Sequence, residues 1–231
     1  MATEQHNKPE TKDLDIGDMY TRSELFFEKN KKAVIIGAVA VLAIVGGTLG
    51  YKHFIAEPHA KEAQDMMWKA QYYFEIDSLD LAINGDGNYN GFTYIADQYG
   101  STPSGKLAKL YLGVCYHQKG ELEQALTYYK DADVDDDVLR VMAMGNQGDV
   151  LVDLGRPEEA VEKFEKAADL VKSDYTTPMF LMKAGYVYQQ KSDWKNAAKC
   201  FGRVATDYPF SPDAQLAKKY AAQAKALSGQ S

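Results

Sequence analysis

Hydrophobic and polar positions divide this chain into three stretches with different periods. Between Ala33 and Leu49 there is no charge, and Thr48 is the one strongly polar residue; with Gly50 and Tyr51 the apolar run reaches 19 residues. At about 1.5 Å per residue it spans roughly 28 Å, close to the hydrocarbon thickness of a bilayer. A run apolar on every side has no solvent face, so the pattern predicts a transmembrane helix over 33–51 rather than a core helix. Before it, residues 1–32 form a short cytoplasmic tail, polar and mixed in charge as far as about residue 17. There Asp18 is placed to cap an amphipathic turn carrying Tyr20, Leu25, Phe26 and Phe27 among Arg22, Glu24, Glu28 and Lys29. After it, apolar residues recur at helical spacing to the end of the chain, with no alternating stretch that predicts a strand.

The flanks refine the anchor. Thirty-two residues precede the apolar run, and His53-Phe54-Ile55-Ala56 is a poor small-residue cleavage site, so the segment reads as an uncleaved signal anchor rather than a signal peptide. Arg22, Lys29, Lys31 and Lys32 lie before it; Lys52, Lys61 and Lys69 lie after it. That bias predicts an inside N-terminus and an outside C-terminal domain. Gly46 and Gly50 form one G-x-x-x-G step, a candidate face for contact with another transmembrane helix.

The soluble stretch repeats itself. Gly113, Tyr116, Gly120, Ala125, Tyr129 and Ala132 recur 35 residues later as Gly148, Leu151, Gly155, Ala160, Phe164 and Ala167. They recur again after 37 more as Gly185, Tyr188, Ser192, Ala197, Phe201 and Val204. The small residue at the eighth position of each unit permits close helix approach, and the glycine at the fifteenth ends the first helix in the left-handed conformation. A degenerate unit precedes these: Phe92, Ile95, Ala96, Tyr99, Pro103, Leu107 and Ala108 match Phe201, Val204, Ala205, Tyr208, Pro212, Leu216 and Ala217 at an offset of 109. Its first helix is expected at 61–79 and its partner at 89–99, with Asn84-Gly-Asp-Gly-Asn88 as a loop. That loop lacks the glycine and the final glutamate of a calcium loop, whose places hold Tyr89 and Ile95. Residues 210–228 read as a closing helix rich in alanine and lysine.

The spacing resembles the tetratricopeptide repeat over residues 106–209, and this implies an all-α fold: a transmembrane helix (33–51), a linker helix and degenerate repeat (52–105), three hairpins (106–209) stacked as an α-solenoid, and a cap (210–231). The family's geometry places positions two, five, nine, twelve and thirteen of each first helix on a concave protein-binding surface. In unit one these are Leu107, Leu110, Val114, His117 and Gln118. In unit two they are Met142, Gly145, Asp149, Val152 and Asp153, and in unit three Met179, Met182, Tyr186, Gln189 and Gln190. This set is mixed apolar, contains no lysine or arginine, and so lacks the basic clamp that grips a C-terminal carboxylate.

Charge and chemistry narrow the function further. A net charge of −7 opposes a general nucleic-acid binder. Cys115 and Cys200 match no metal or redox spacing and read as small buried hydrophobes. Of the four histidines only His117 falls in the repeats, with no acidic or cysteine companion at ligand spacing in its own hairpin. The acidic run Asp131, Asp133, Asp135, Asp136, Asp137 reads as a solvated linker that caps the next helix. No catalytic motif is present, and neither a catalytic residue, a metal, a cofactor nor a small-molecule substrate is expected.

The whole layout adds a second resemblance. A polar tail, Phe26-Phe-Glu-Lys-Asn-Lys-Lys32, one glycine-bearing transmembrane helix, Tyr51-Lys-His-Phe54 and then repeats is similar to the bacterial single-pass proteins that accompany the SecYEG translocon. It implies an inner-membrane protein with periplasmic repeats. Its partners would be translocon subunits, a membrane-anchored chaperone of the peptidyl-prolyl isomerase type, and newly translocated chains. A scaffold for another envelope assembly (secretion or division machinery) and an anchored periplasmic enzyme are the alternatives.

Overall fold

A computed structural model of the chain describes residues 16–229, with side chains from Glu28. The polar tail before Ile16 and the aromatic side chains expected ahead of the span lie outside the described residues. The chain divides into two compact units, Met1–Ala56 and Glu57–Ser231.

In the first unit, α1 (Ile16–Tyr51) is one 36-residue element where the sequence predicted an amphipathic turn followed by a span. Asn30 departs from helical geometry (φ −113°, ψ 17°) and divides it into those two parts. A single π-turn, Lys52–Ala56, follows. The isoleucines, valines and leucines between Ile35 and Leu49 are exposed within this chain. Among the described residues this stretch supplies the one helix near the N-terminus long and apolar enough to cross a membrane.

The second unit is an all-helical stack. It runs α2 (Glu57–Glu75), α3 (Leu79–Asn84), α4 (Phe92–Gln98), α5 (Pro103–Gln118), α6 (Leu122–Asp131), α7 (Asp137–Asp153), α8 (Pro157–Leu170), α9 (Thr176–Gln190), α10 (Trp194–Asp207) and α11 (Ala214–Leu227). Local signals set the boundaries. Thr102 accepts from Gly105 N–H at 3.1 Å, Asp136 from Leu139 N–H at 2.9 Å and Asp193 from Asn196 N–H at 3.2 Å, so three helices start on a side-chain cap. Gly120 and Gly155 end α5 and α7 at φ 77° and 69°; Ser192 does the same after α9 at φ 58°.

The hairpins close by driving a ring onto a bare backbone. A Cβ at Gly113 would meet Tyr129 at 2.6 Å, one at Gly148 Phe164 at 2.5 Å, and one at Gly185 Phe201 at 2.5 Å. The repeated glycine is therefore the socket for the aromatic of its own second helix. Gly145 performs the same service between hairpins, against Phe180 of α9.

Two buried clusters result, one spanning α2 to α5 and one spanning α5 to α11, and Leu107 and Tyr116 pack against both. The degenerate unit differs from expectation in its bounds. Its first helix is shifted to Glu57–Glu75, and a short helix, α3, occupies part of the segment expected as a connection. Ser78 N–H bonds to the Tyr73 carbonyl and Asp77 takes φ 58°, which turns the chain early and leaves room for that extra helix. The closing helix starts at Ala214 rather than near 210, because Tyr208–Asp213 is spent on a loop containing Pro209 and Pro212.

Candidate protein-binding face

The first helices of successive hairpins share a face tied together by polar rungs. His117 of α5 meets Asp153 of α7, Nε2 to Oδ2 at 2.8 Å. Lys183 of α9 donates to both oxygens of Asp149 of α7, at 2.8 and 2.6 Å, with its ammonium 5.7 Å from the Phe164 and Phe180 ring centres. Tyr186 of α9 packs edge-on against Phe201 and Tyr220, at 5.5 and 5.6 Å. Half-exposed pairs of this kind contribute little stability and mainly fix the register between hairpins.

His117 finds its acidic companion in the next hairpin, which spacing inside one hairpin cannot reveal. The face also carries a cation, Lys183, one residue beyond the position counted from the repeat. Its stem reaches back to cancel the Asp149 charge.

Not every residue assigned to the concave surface is open to a partner. Leu110 is 7% exposed and Met182 3% exposed, and Gly145 lies under Phe180; these three are consumed by packing between neighbouring hairpins. Leu107, Val114, Met142, Met179 and Tyr186 are half-buried against the core. Gln118, Val152, Asp153 and Gln190 are exposed, with Asp149 and Gln189 half-buried. The open part of the face is thus polar at its centre, with amides and paired charges.

Other sequence candidates resolve simply. Cys115 and Cys200 are free and buried in separate clusters, and burial pushes each thiol up to about 12, which leaves both unreactive at neutral pH. The acidic linker is mostly occupied. Asp136 caps α7, Asp137 pairs with Arg140, and Lys106 reaches Asp135 at 3.1 Å and Asp133 at 3.9 Å. Among the described residues no group of three or more metal-ligating side chains gathers. Cβ positions at Gly46 and Gly50 point into open space within this chain.

The Asn84–Asn88 insert has a role the sequence did not disclose. Asp86 accepts the Tyr73 hydroxyl at 2.5 Å and the N–H groups of Asn88 and Tyr89 at 2.9 and 2.8 Å. The bond from Tyr73 holds the Asp86 carboxyl below its usual range, and the same bond, with burial, pushes Tyr73 up to about 12. With its carboxylate so engaged, Asp86 is a loop clasp. The clasp lays Tyr89 against Trp68 at 5.6 Å and over Lys69, whose ammonium sits 4.7 to 5.4 Å from the rings of Tyr72, Tyr73, Tyr89 and Trp68.

Beside this cluster a cleft of about 980 Å³ opens between α2, α5 and the start of α7. Met67, Trp68, Leu107 and Leu139 give it an apolar floor and wall, and Gln64 and Gln71 present amides. Glu57, Asp135 and Asp136 stand on its lips against Lys61. Trp68 is 55% exposed there.

A stack of antiparallel helical hairpins with an open face on its first helices defines an α-solenoid built to hold another protein. Residues 92–138, 143–174 and 180–211 of the second unit each match a tetratricopeptide repeat family. Two crystal structures of the nearly identical TPR-like repeats of a protein described as a Podosopora anserina kinesin light chain superpose with TM-scores of 0.56 and 0.55. Each is 14% identical and covers 74% of this chain and 89% of its own, a likeness of fold. Among curated proteins nothing matches the chain significantly.

Proposed function

We propose that this protein is a membrane-anchored scaffold that docks other proteins on its repeat array. One observation carries the reading: an array with an open helical face shares its chain with a single apolar helix long enough to span a bilayer. Tetratricopeptide arrays act through protein–protein contact, and an anchor confines that contact to a membrane surface, raising the effective concentration of partners held there. The lysine bias around the span supports repeats on the outer side of an inner membrane, hence a periplasmic array. The layout around Phe26–Phe54 supports a place beside the Sec translocon and a membrane-anchored chaperone, where the array receives newly translocated chains. The half-buried and exposed members of the face, Val114, His117, Gln118, Asp149, Asp153, Tyr186, Gln189 and Gln190, are the proposed contact residues, with Gly46 and Gly50 facing a partner helix.

Photocrosslinking probes at Val114, Tyr186 and Gly46, with adducts identified by mass spectrometry, test the assignment in cells. Adducts to translocon subunits or a periplasmic chaperone are expected. Adducts confined to outer-membrane or division proteins would replace the translocon assignment with a different envelope assembly, and adducts to none would remove the scaffold reading.

A further inference from the structure

We propose that a small pocket beside α7, away from the concave positions, takes a tryptophan side chain of a partner, with the indole N–H donating to Gln147 Oε1. This rests on the scaffold reading and names one side chain that a docked partner inserts. The pocket measures about 240 Å³ and is lined by the end of α6, the loop after it, α7 and Leu170 of α8. Its inner α7 residues, Ala143, Met144 and Gln147, are positions three, four and seven of the second unit, none of which belongs to the concave set.

Gln147 is the feature that calls for an occupant. The matching residues of the other two units are Leu112 and Ala184, both fully buried, so the repeat asks for an apolar side chain at this position. Gln147 is nevertheless buried, at 8% exposed. Its Nε2 donates to the Tyr129 carbonyl at 3.2 Å, and that bond fixes the orientation of the amide, because a carbonyl only accepts. Oε1 is left enclosed without a donor among the described residues. A buried acceptor with no partner costs stability that leucine or alanine would not, and here it belongs to a residue on a pocket wall. A ligand that brings the donor removes the cost.

The donor and acceptor inventory selects the ligand. Oε1 and the Tyr129 carbonyl bonded to the same amide are both acceptors, so a hydroxyl or carboxamide tip would bring lone pairs that meet no donor there. The walls are apolar, from Ala132, Ala143, Met144 and Leu170. The volume falls below the about 300–1,000 Å³ of drug-sized sites and suits one side chain. Indole is the side chain that is large, uncharged and a donor only. Of the charges at the mouth, Asp133 is met by Lys106 and Arg140 by Asp137, while Lys130 makes no ion pair among the described residues. Lys130 opposes a lysine or arginine tip and can lie over an indole face. Met144, unbranched and half-buried, gives way to admit the ring and adds a sulfur contact to it.

The full-length protein, labelled with carbon-13 at its methionine methyl groups and held in zwitterionic nanodiscs, reports on the pocket through Met144. Its signal is assigned by its loss in Met144→Leu. N-acetyltryptophanamide is expected to shift that signal saturably. Its N-methylindole analogue, which has no donor, is expected to bind at least about tenfold more weakly, and N-acetylphenylalaninamide likewise. Gln147→Leu, the residue of the first unit, is expected to bind both indoles alike. Leu170→Gln, at a helix end where the side chain is 42% exposed, keeps Gln147 and is expected to weaken N-acetyltryptophanamide about threefold at an unchanged melting temperature; it serves as the test should Gln147→Leu not fold. Equal affinity for the two indoles, a preference that survives Gln147→Leu, undiminished binding by Leu170→Gln, or no saturable shift, as for a pocket that holds water only, overturns the proposal. So does a Met144 signal that moves with protein concentration in the absence of probe, which would assign the pocket to a second copy of this chain. Crosslinks at Val114 and Tyr186 without a Met144 response remove this pocket alone and leave the scaffold reading standing. A Met144 response without crosslinked partners keeps the indole pocket and removes the scaffold reading beneath it.

Discussion

The two ends of the array are closed by different means. At the C-terminal end α11 continues the repeat geometry. Ala214, Ala217, Ala221 and Ala224 are buried against α10, and Lys218, Lys219 and Lys225 face solvent. A small-residue face inside and a charged face outside is what a solenoid needs from a cap, and only Leu216 and Leu227 of this helix and Phe210 in the loop before it are large apolar side chains left exposed at this end. At the N-terminal end no preceding hairpin covers α2. Its outer side is instead covered by an insert, pinned by Asp86 and carrying Tyr89 onto Lys69 and Trp68. This cover is incomplete, and Trp68 remains half-exposed beside the cleft between α2, α5 and α7. Both ends leave an aromatic exposed, Phe210 at one and Trp68 at the other, and they differ in how they are closed: one by a repeat-like helix, the other by an irregular, hydrogen-bonded insert.

The largest effects should come from the ring that anchors each end. Phe201 and Phe92 are both fully buried; Phe201 meets Gly185 and Tyr220, while Phe92 stacks on Tyr111 at 4.7 Å. Either change to alanine should cost about 3–5 kcal/mol of stability. The comparison lies in where the damage appears. Amide exchange should accelerate in α11 for Phe201→Ala and in α2 and α4 for Phe92→Ala, with the opposite end still protected. Uniform acceleration along the whole array in both variants would mean that the ends do not behave as separate units.

A smaller effect separates the two closures by pH. The Asp86 pKa is lowered in the folded protein, so the clasp's contribution is complete above the ordinary carboxylate range. It is lost as pH falls through the folded value. Tyr73 is raised to about 12, so its contribution is complete below the ordinary phenol value and is lost as pH climbs towards 12. Protection at Gly87–Asn90, taken relative to the intrinsic exchange rate at each pH, should therefore fall on acidification, while α11, which carries no carboxylate, keeps its protection. Asp86→Asn should quicken the same amides at neutral pH, on the order of tenfold, and flatten the acid limb. An acid limb that survives in Asp86→Asn would place the titrating group elsewhere.

How much of this was legible in the sequence follows from which contacts are local. The three hairpins and their glycine sockets were readable because each signal falls inside one 35- to 37-residue period, as with Gly148 and Phe164. The rungs His117 with Asp153 and Lys183 with Asp149 were not, since they join different periods and nothing in either hairpin demands them. Nor was the burial of Leu110 and Met182, which depends on how closely neighbouring hairpins approach. The insert was visible as a loop that fails as a calcium loop, but its purpose was hidden: Asp86 is a hydrogen-bond acceptor for Tyr73 and two amides. A signal for it existed in the aromatic density of residues 66–96, where Trp68, Tyr72, Tyr73, Tyr89 and Tyr94 crowd one hairpin.

The smallest effect concerns two helix ends with the same backbone strain. Asp77 after α2 and Ser192 after α9 both sit at φ 58°, where glycine ends the other first helices. Left-handed geometry costs an ordinary L-residue about 1–2 kcal/mol, and glycine removes that cost. Glycine also loosens the unfolded chain, which returns about 0.4–1 kcal/mol of the gain. For Ser192→Gly the balance should be stabilising by about 0.5–1 kcal/mol, measured as a rise in the denaturant midpoint at constant slope. Aspartate tolerates this region through local hydrogen bonding, so for Asp77→Gly the two terms should nearly cancel. The regular end of the array therefore has stability to gain from restoring the repeat's own residue, and the irregular end does not. An equal gain at both positions would show that Asp77 is strained as Ser192 is, and that the N-terminal hairpin is a repeat in need of repair rather than a separate solution.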